Sequence, residues 1–167
     1  MDAAGYQFSS ANSINIGRLV PQIVYYVYAY GQLLRQGELK AGEKMNVVVP
    51  TGNFGNILAA YYAKNMGIPI ETLYCASNEN KVLFDFFQTG TYDRKREFIL
   101  TTSPSMDILI SSNLERLIYR ITGEDAAQTK AFMDALTTKG EYSITPEMKE
   151  KLADFVGGFA SEEETHA

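Results

Sequence analysis

The chain has 167 residues, 46% of them hydrophobic and 21% charged; that is about one domain, with enough apolar material for a packed core, and it excludes a disordered tail. The 20 acidic residues outweigh the 15 basic ones for a formal net charge of -5, which argues against a nucleic-acid-binding surface but leaves room for a local site for a small anion. With 1 cysteine and 1 histidine there is no internal disulfide, no histidine-rich metal site and no Ser-His-Asp triad, and a reducing, cytoplasmic setting is expected.

Residues 1 to 11 are small and polar, and they lack the charged start and apolar core of a signal peptide. Asn12 or Ser13 can cap the helix that follows, by accepting a bond from a free backbone N–H. Ile16, Leu19, Val20, Ile23, Val24 and Val27 recur at helical spacing, and Leu34 marks an end near Gly37. Pro21 lies inside this pattern and would kink the helix or shift its start. The stretch "IGRLVPQIVYYVYAYGQLL" contains Arg18, Pro21, Gln22 and four tyrosines. It falls short of the apolar run of about 20 residues that spans a membrane, so a buried core helix is expected.

The linker "QGELKAGEK" leads to "MNVVVP", a β-branched run without alternation that predicts a strand buried on both faces. After "TGNFGN" comes a helix ending at Gly67, and "IPIETLYCAS" reads as a second strand, giving a βαβ unit with a parallel pair. Cys75, in the second strand, reads as a small buried residue and not as a nucleophile, because the only histidine is His166, near the end. Asn78 is expected to cap a helix, "ENKVLFDFFQTG", stopped by Gly90. "REFIL" is expected as a third strand, residues 103–123 as a further helical region, and residues 124–140 as an amphipathic helix ending at Gly140. A last helix over 144–161 opens with Thr145 as cap and Pro146 in the first position, and residues 161–167 should fray. The fold class expected is α/β: an open, mostly parallel twisted sheet flanked by helices.

The loop "TGNFGN" stands after a predicted strand and before a predicted helix, where α/β sheets bind ligands. Exposed N–H groups at a helix N-terminus favour an anion, and glycines let the backbone come close. The loop is not a Walker loop, since no Lys-Ser/Thr pair follows Gly55, and Gly52 and Gly55 do not fit the dinucleotide fingerprint. By itself it reads equally well as a strand-to-helix turn or as an anion site. For "SANSINIGR" taken alone the plain reading prevails, Asn12 and Ser13 as helix caps and Arg18 as a surface charge; the functional alternative is that Asn12, Ser13 and Arg18 face one anion, which the planar arginine fork suits.

Four blocks resemble one family: "SSANSINIGRLVPQIVYYVYAYGQL", "VVVPTGNFGNILAAYYAKNMGIPI", "CASNENKVLFDFFQTGTYDR" and "TSPSMDILISSNLERLIY". In this order, over residues 6 to 165, they look like threonine synthase, a pyridoxal-phosphate enzyme of fold type II (the tryptophan synthase β-like group). The resemblance implies that residues 1–160 are part of the cofactor-binding large domain. It implies conversion of O-phospho-L-homoserine and water to L-threonine and phosphate, with pyridoxal phosphate as electron sink. It places the cofactor phosphate on Gly52, Asn53, Phe54, Gly55 and Asn56, mainly through backbone N–H groups. It places the substrate phosphate by Asn12, Ser13, Asn15 and Arg18, with Asn12, Ser13 and Arg18 as direct contacts.

The family's Schiff-base lysine lies in a block like His-Gly-Pro-Thr-x-x-Phe-Lys-Asp, which this chain lacks, so no catalytic residue is nominated. The Ser-Gly-Asp-Thr-Gly type loop that approaches the cofactor ring and the later Asp-x-His-Thr segment are absent too. The chain therefore looks like an internal piece of such an enzyme, expected to be inactive alone and, with unpaired sheet edges and exposed apolar faces, able to self-associate. The alternatives are another fold type II enzyme, such as a dehydratase or a tryptophan synthase β-like protein, and a non-catalytic phosphate-binding module. "NSINIGR" speaks against the first and the intact loop against the second. The aromatics of "YYVYAY" read as helix packing. Ser103, Ser105 and Asp107 have no chemical role from the sequence beyond a helix cap.

Overall fold

A computed structural model describes Gly5 and residues 12–166. The expected βαβ unit is present. Strand β1 (Met45–Pro50) pairs in parallel with β2 (Ile70–Ser77), and helix α3 (Gly55–Asn65) connects them. Before them come α1 (Ile16–Leu19) and α2 (Ile23–Gln36), joined by one 3-10 turn, Val20–Gln22. Pro21 sits in that turn, where its missing N–H breaks the α ladder, so the predicted kink is a change of helix type. Helix α4 (Val82–Thr89) follows β2, and a short antiparallel ribbon joins β3 (Thr91–Asp93) to β4 (Glu141–Ser143). Between those strands lie α5 (Leu114–Ile121) and α6 (Ala126–Lys139). Helix α7 (Pro146–Glu150), strand β5 (Phe155–Phe159) and helix α8 (Glu162–His166) complete the chain.

The third strand of the parallel sheet is β5, beside β2 in the order β1-β2-β5. "REFIL" is not a strand; its residues run in irregular structure. The predicted helix over 144–161 is correct only at its start, where the Thr145 hydroxyl caps Met148 N–H at 3.3 Å and Pro146 opens one turn. "FVGGF" then leaves the helix, since two adjacent glycines favour helix poorly. Extended, it gains the β2 ladder and brings Gly157 against α4: a Cβ there would lie 3.1 Å from Phe84 Cα. Residues 103–123 hold a 3-10 turn, Pro104–Met106, and α5, not one helical region. Residues 162–166 form a turn of helix where fraying was expected. Ser161 and Glu164 cap each other there, Glu164 N–H to Ser161 Oγ at 3.1 Å and Ser161 N–H to Glu164 Oε2 at 2.8 Å.

The core gathers around α3, whose Ile57, Leu58, Ala59, Ala60 and Ala63 are fully buried. Three alanines on this helix let its neighbours come close: β2 on one side, α2 and α5 on others. Leu114, Leu117, Ile118 and Ile121 give α5 a strict i, i+3, i+4, i+7 stripe, and all are buried. Each large apolar side chain removed from water contributes about 1.5–3 kcal/mol, so this stripe and α3 are a substantial part of the favourable side of folding.

Two burial expectations fail. Val48 of β1 is 66% exposed, and in register with it stand half-exposed Tyr74 and Val156. The sheet is covered on one face, by α3 and α4, and this apolar row lies open on the other. Helix α2 is not a buried core helix either. Tyr26 and Tyr30 face inward, while Val24 and Tyr28, one turn apart, are more than half exposed, and Val20 is half exposed in the 3-10 turn before the helix.

Candidate anion-binding site

Thr51 ends β1 by donating its N–H to Ala76 O at 2.8 Å and its hydroxyl to Val49 O at 2.7 Å. The chain then turns through Gly52 and Asn53 to Phe54, the N-cap of α3, which has a left-handed φ of 65°. Such a backbone costs a non-glycine residue on the order of 1–2 kcal/mol. The ring offsets that cost: Phe54 is buried, with ring centroids 5.7 Å from Phe155 and 6.2 Å from Phe87. No side chain caps α3, so the orphan N–H groups of its first turn open onto the cavity its residues line.

That cavity, about 250 Å³, is lined by residues 49 to 57, by Ser13, Arg18 and Gln22 of the N-terminal segment, and by Ser105. Its floor has no room for a side chain at Gly52 and little at Gly55. A Cβ on Gly52 would lie 2.8 Å from the Ser105 carbonyl oxygen, and one on Gly55 would lie 3.3 Å from Asn113 Nδ2 and 3.6 Å from Ser13 Cβ. The two glycines are therefore where two other segments press against the loop, and Ser13 rests directly over Gly55.

The loop is clamped from behind. Asn113, fully buried, donates its backbone N–H and its Nδ2 to Asn53 O at 3.1 and 3.0 Å. Ser111 Oγ donates to Gly52 O at 2.6 Å, while Ser111 N–H donates to Tyr92 Oη at 2.8 Å. Asn56 is held by its side chain: Oδ1 accepts from Tyr26 Oη at 2.5 Å and Nδ2 donates to Gln22 Oε1 at 2.9 Å. Burial pushes the Tyr26 hydroxyl up to about 12, so it stays a proton donor at neutral pH. Arg116 bridges Asn113 Oδ1 and, at 2.6 Å, the carbonyl of Ile14. One arginine thus ties the "NSIN" segment to the clamp behind the glycine loop.

Of the sequence candidates, the structure brings Gly52, Asn53, Phe54, Gly55 and Asn56 together with Ser13 and Arg18 in one cavity. Asn12 and Asn15 do not line it. Asn15 is the cap of α1, accepting from Gly17 N–H at 2.8 Å, in place of the expected Asn12 or Ser13. Asn12 Oδ1 accepts from Ile14 N–H at 3.1 Å and shapes the turn before the helix. Phe54 offers the cavity only backbone, its ring being buried in the core. Asn78, expected as a helix cap, instead donates to Asp107 Oδ1 at 2.7 Å and Thr101 Oγ1 at 3.0 Å, and α4 starts three residues further on from Asn78's neighbour Glu79, at Val82. Cys75 is buried, its thiol pushed up to about 12 by burial, which removes it as a nucleophile.

The residues missed from the sequence are Ser111, Asn113 and Arg116. They sit in "SSNLER", inside one of the resembling blocks, but their partners are some 60 and 100 residues away. A larger hollow of about 620 Å³ lies near Arg116 and Tyr119. Of the charged residues lining it, Arg120 pairs with Glu124, and Lys130 pairs with Asp134 beside it. Among the described residues no cluster of His, Cys, Asp and Glu could hold a metal, and no helix is long and apolar enough to cross a membrane.

No protein-family model matches the chain. A human protein named threonine synthase-like 1 is 50% identical over 162 residues, 96% of this chain and 22% of that protein. The threonine synthase of Saccharomyces cerevisiae is 39% identical over 170 residues, 96% of this chain and 32% of that one. Among solved structures, a threonine synthase from Brucella melitensis with bound pyridoxal phosphate superposes with a TM-score of 0.87 at 41% identity, over 95% of this chain and 33% of that one. The chain thus spans between about a fifth and a third of the length of these relatives.

Proposed function

We propose that this chain, homologous over nearly its whole length to part of the threonine synthases, supplies the phosphate-holding half of a pyridoxal-phosphate site. The reaction proposed for the enzyme is conversion of O-phospho-L-homoserine and water to L-threonine and phosphate. The observation that carries the reading is the single cavity lined both by the Gly52–Asn56 loop at the head of α3 and by Ser13 and Arg18. The donor set fits a phosphate: uncapped helix N–H groups, a hydroxyl and a guanidinium line one cavity, and close packing at the two glycines holds the loop in place.

In this reading the backbone of Gly52, Asn53, Phe54, Gly55 and Asn56 holds the cofactor phosphate. Ser13 and Arg18 hold the substrate phosphate, the arginine through a planar fork that matches two phosphate oxygens. Asn12 and Asn15 act on the same group indirectly, by setting the turn that presents Ser13 and Arg18. Bound pyridoxal phosphate would supply the electron sink that lets protons leave the substrate carbons. The chain's own part is to bind and orient the two phosphates.

No lysine lines the cavity among the described residues, and the sequence lacks a block of the Schiff-base type. The chain by itself is therefore expected to bind phosphate-bearing ligands without turnover. The cytoplasm is the proposed setting, and self-association through the open apolar row of the sheet is proposed for the isolated chain. Pyridoxal phosphate titrated into the chain should bind reversibly, compete with inorganic phosphate, and exceed pyridoxal in affinity. Borohydride should fix it to no single lysine. A chromophore that survives dialysis and is trapped on one lysine would sink the inactive-fragment reading, and equal affinity for pyridoxal would sink the phosphate cup.

A further inference from the structure

Asp107 makes one of the densest polar clusters in the molecule, away from the glycine loop. Its Oδ1 accepts from Asn78 Nδ2 at 2.7 Å, Thr101 Oγ1 at 2.7 Å and Asn80 Nδ2 at 3.2 Å, and its Oδ2 accepts from Thr101 N–H at 2.9 Å. Asn78 and Asn80 are buried in the connection that leaves the end of β2. Asn80 also grips the backbone of Ile99 from both sides, accepting its N–H at 3.0 Å and donating to its carbonyl at 2.7 Å. Thr101 Oγ1 accepts the Ser103 N–H at 3.1 Å. Buried amides need partners, and here all converge on one carboxylate.

The carboxylate closes a compact turn. Met106 N–H donates to Ser103 O at 2.8 Å and Asp107 N–H to Pro104 O at 3.2 Å. The turn presents the Ser105 carbonyl and the Met106 Cα to Gly52, at 2.8 and 3.3 Å from where a Cβ would stand, and Ser105 lines the anion cavity. The loop after β1 is therefore shaped by a wall that the loop after β2 holds in place.

We infer that Asp107 is a positioning residue of the anion cup: gripped by Asn78, Asn80 and Thr101, it sets the 103–107 turn so that Ser105 walls the cavity and its carbonyl fixes the path of Gly52. This rests on the reading of that cavity as a phosphate site. Asp107 does not touch the anion; it acts through Ser105. An amide in its place would present a donor to donors and let the turn move.

The test is a titration of the chain with inorganic phosphate, followed by phosphorus NMR, well below the melting temperature of every variant. Asp107→Asn should bind phosphate about tenfold more weakly than the unaltered chain. Lys64→Met breaks the ion pair to Asp154 far from the cup and serves as a destabilised control that should bind normally. An Asp107→Asn variant that binds like the unaltered chain, or a Lys64→Met variant that weakens as much, overturns the inference and leaves the cup reading intact. No binding by the unaltered chain overturns both. If Asp107→Asn does not fold, Thr101→Val decides: it removes a hydroxyl from the clasp, and a similar fall supports the inference while unchanged affinity defeats it.

Discussion

A Cβ at position 52 would stand 2.8 Å from the carbonyl oxygen of Ser105. Gly52 is thus needed for space, because the obstacle is backbone that cannot swing aside. Gly52→Ala should cost about 1–3 kcal/mol by overpacking and should weaken phosphate binding in the same variant. Chemical denaturation and a phosphate titration measure the two effects. An alanine variant with unchanged stability would mean that the two loops do not meet as described.

Arg18 lines the cavity with Ser13, and its fork is the proposed grip on the substrate phosphate. Charge-assisted bonds of this kind contribute about 1.5–3 kcal/mol, so Arg18→Met should weaken binding of O-phospho-L-homoserine by roughly 10- to 100-fold. Arg18→Lys should recover only part of it, since an ammonium cannot bond two oxygens side by side. Calorimetric titration reads both, and full recovery by lysine would argue for a charge without geometry.

Phe54 combines a left-handed backbone with a buried ring. Removing the ring leaves the strain and opens a cavity between Phe87 and Phe155, so Phe54→Ala should destabilise by about 3–5 kcal/mol. Urea unfolding followed by circular dichroism tests it. A loss below about 1 kcal/mol would show that the ring is not the anchor of the turn.

Acid should loosen the wall of the cup. The Thr101 backbone N–H, followed by the Thr101, Asn78 and Asn80 side chains, holds the Asp107 carboxyl below the usual carboxylate range. A group whose folded value is depressed contributes stability above its unfolded value and loses it as pH falls through the folded one. Asp107 should therefore contribute nothing to pH dependence near neutrality and should destabilise the chain below about pH 4, the unfolded value of an aspartate. Melting temperatures of the chain and of Asp107→Asn, compared from pH 7 to 3, should converge in acid. Parallel curves would remove Asp107 from the acid transition.

Val48, Tyr74 and Val156 stand in register across the open face of the sheet. A parallel sheet is normally covered on both faces, so the isolated chain should associate with increasing concentration. Sedimentation velocity should detect this, and Val48→Lys together with Val156→Lys should shift the chain toward monomer. A compact monomer at high concentration would refute the proposed self-association.

What could be read from the sequence alone was whatever a short window contains. The β1–α3–β2 order, the glycine stops at 37, 90 and 140, the Thr145–Pro146 helix start and the loop at 51–56 each follow from the conformational limits of a few adjacent residues. The resembling blocks joined that loop to the "NSINIGR" segment, which no local rule could do. Tertiary contacts settled the rest. "FVGGF" is a strand only because β2 offers it a ladder and Phe84 a close surface. Asn78 turns its Oδ1 to the Asn80 N–H and its Nδ2 to Asp107, 29 residues on, and the helix begins later, at Val82. Asn15 took the cap of α1, Asn113 took up the loop from 60 residues away, and Arg116 tied Ile14 to Asn113. The row at Val48 is exposed although its residues are those of a core, because burial depends on which surfaces meet, and hydropathy along a chain carries no record of that.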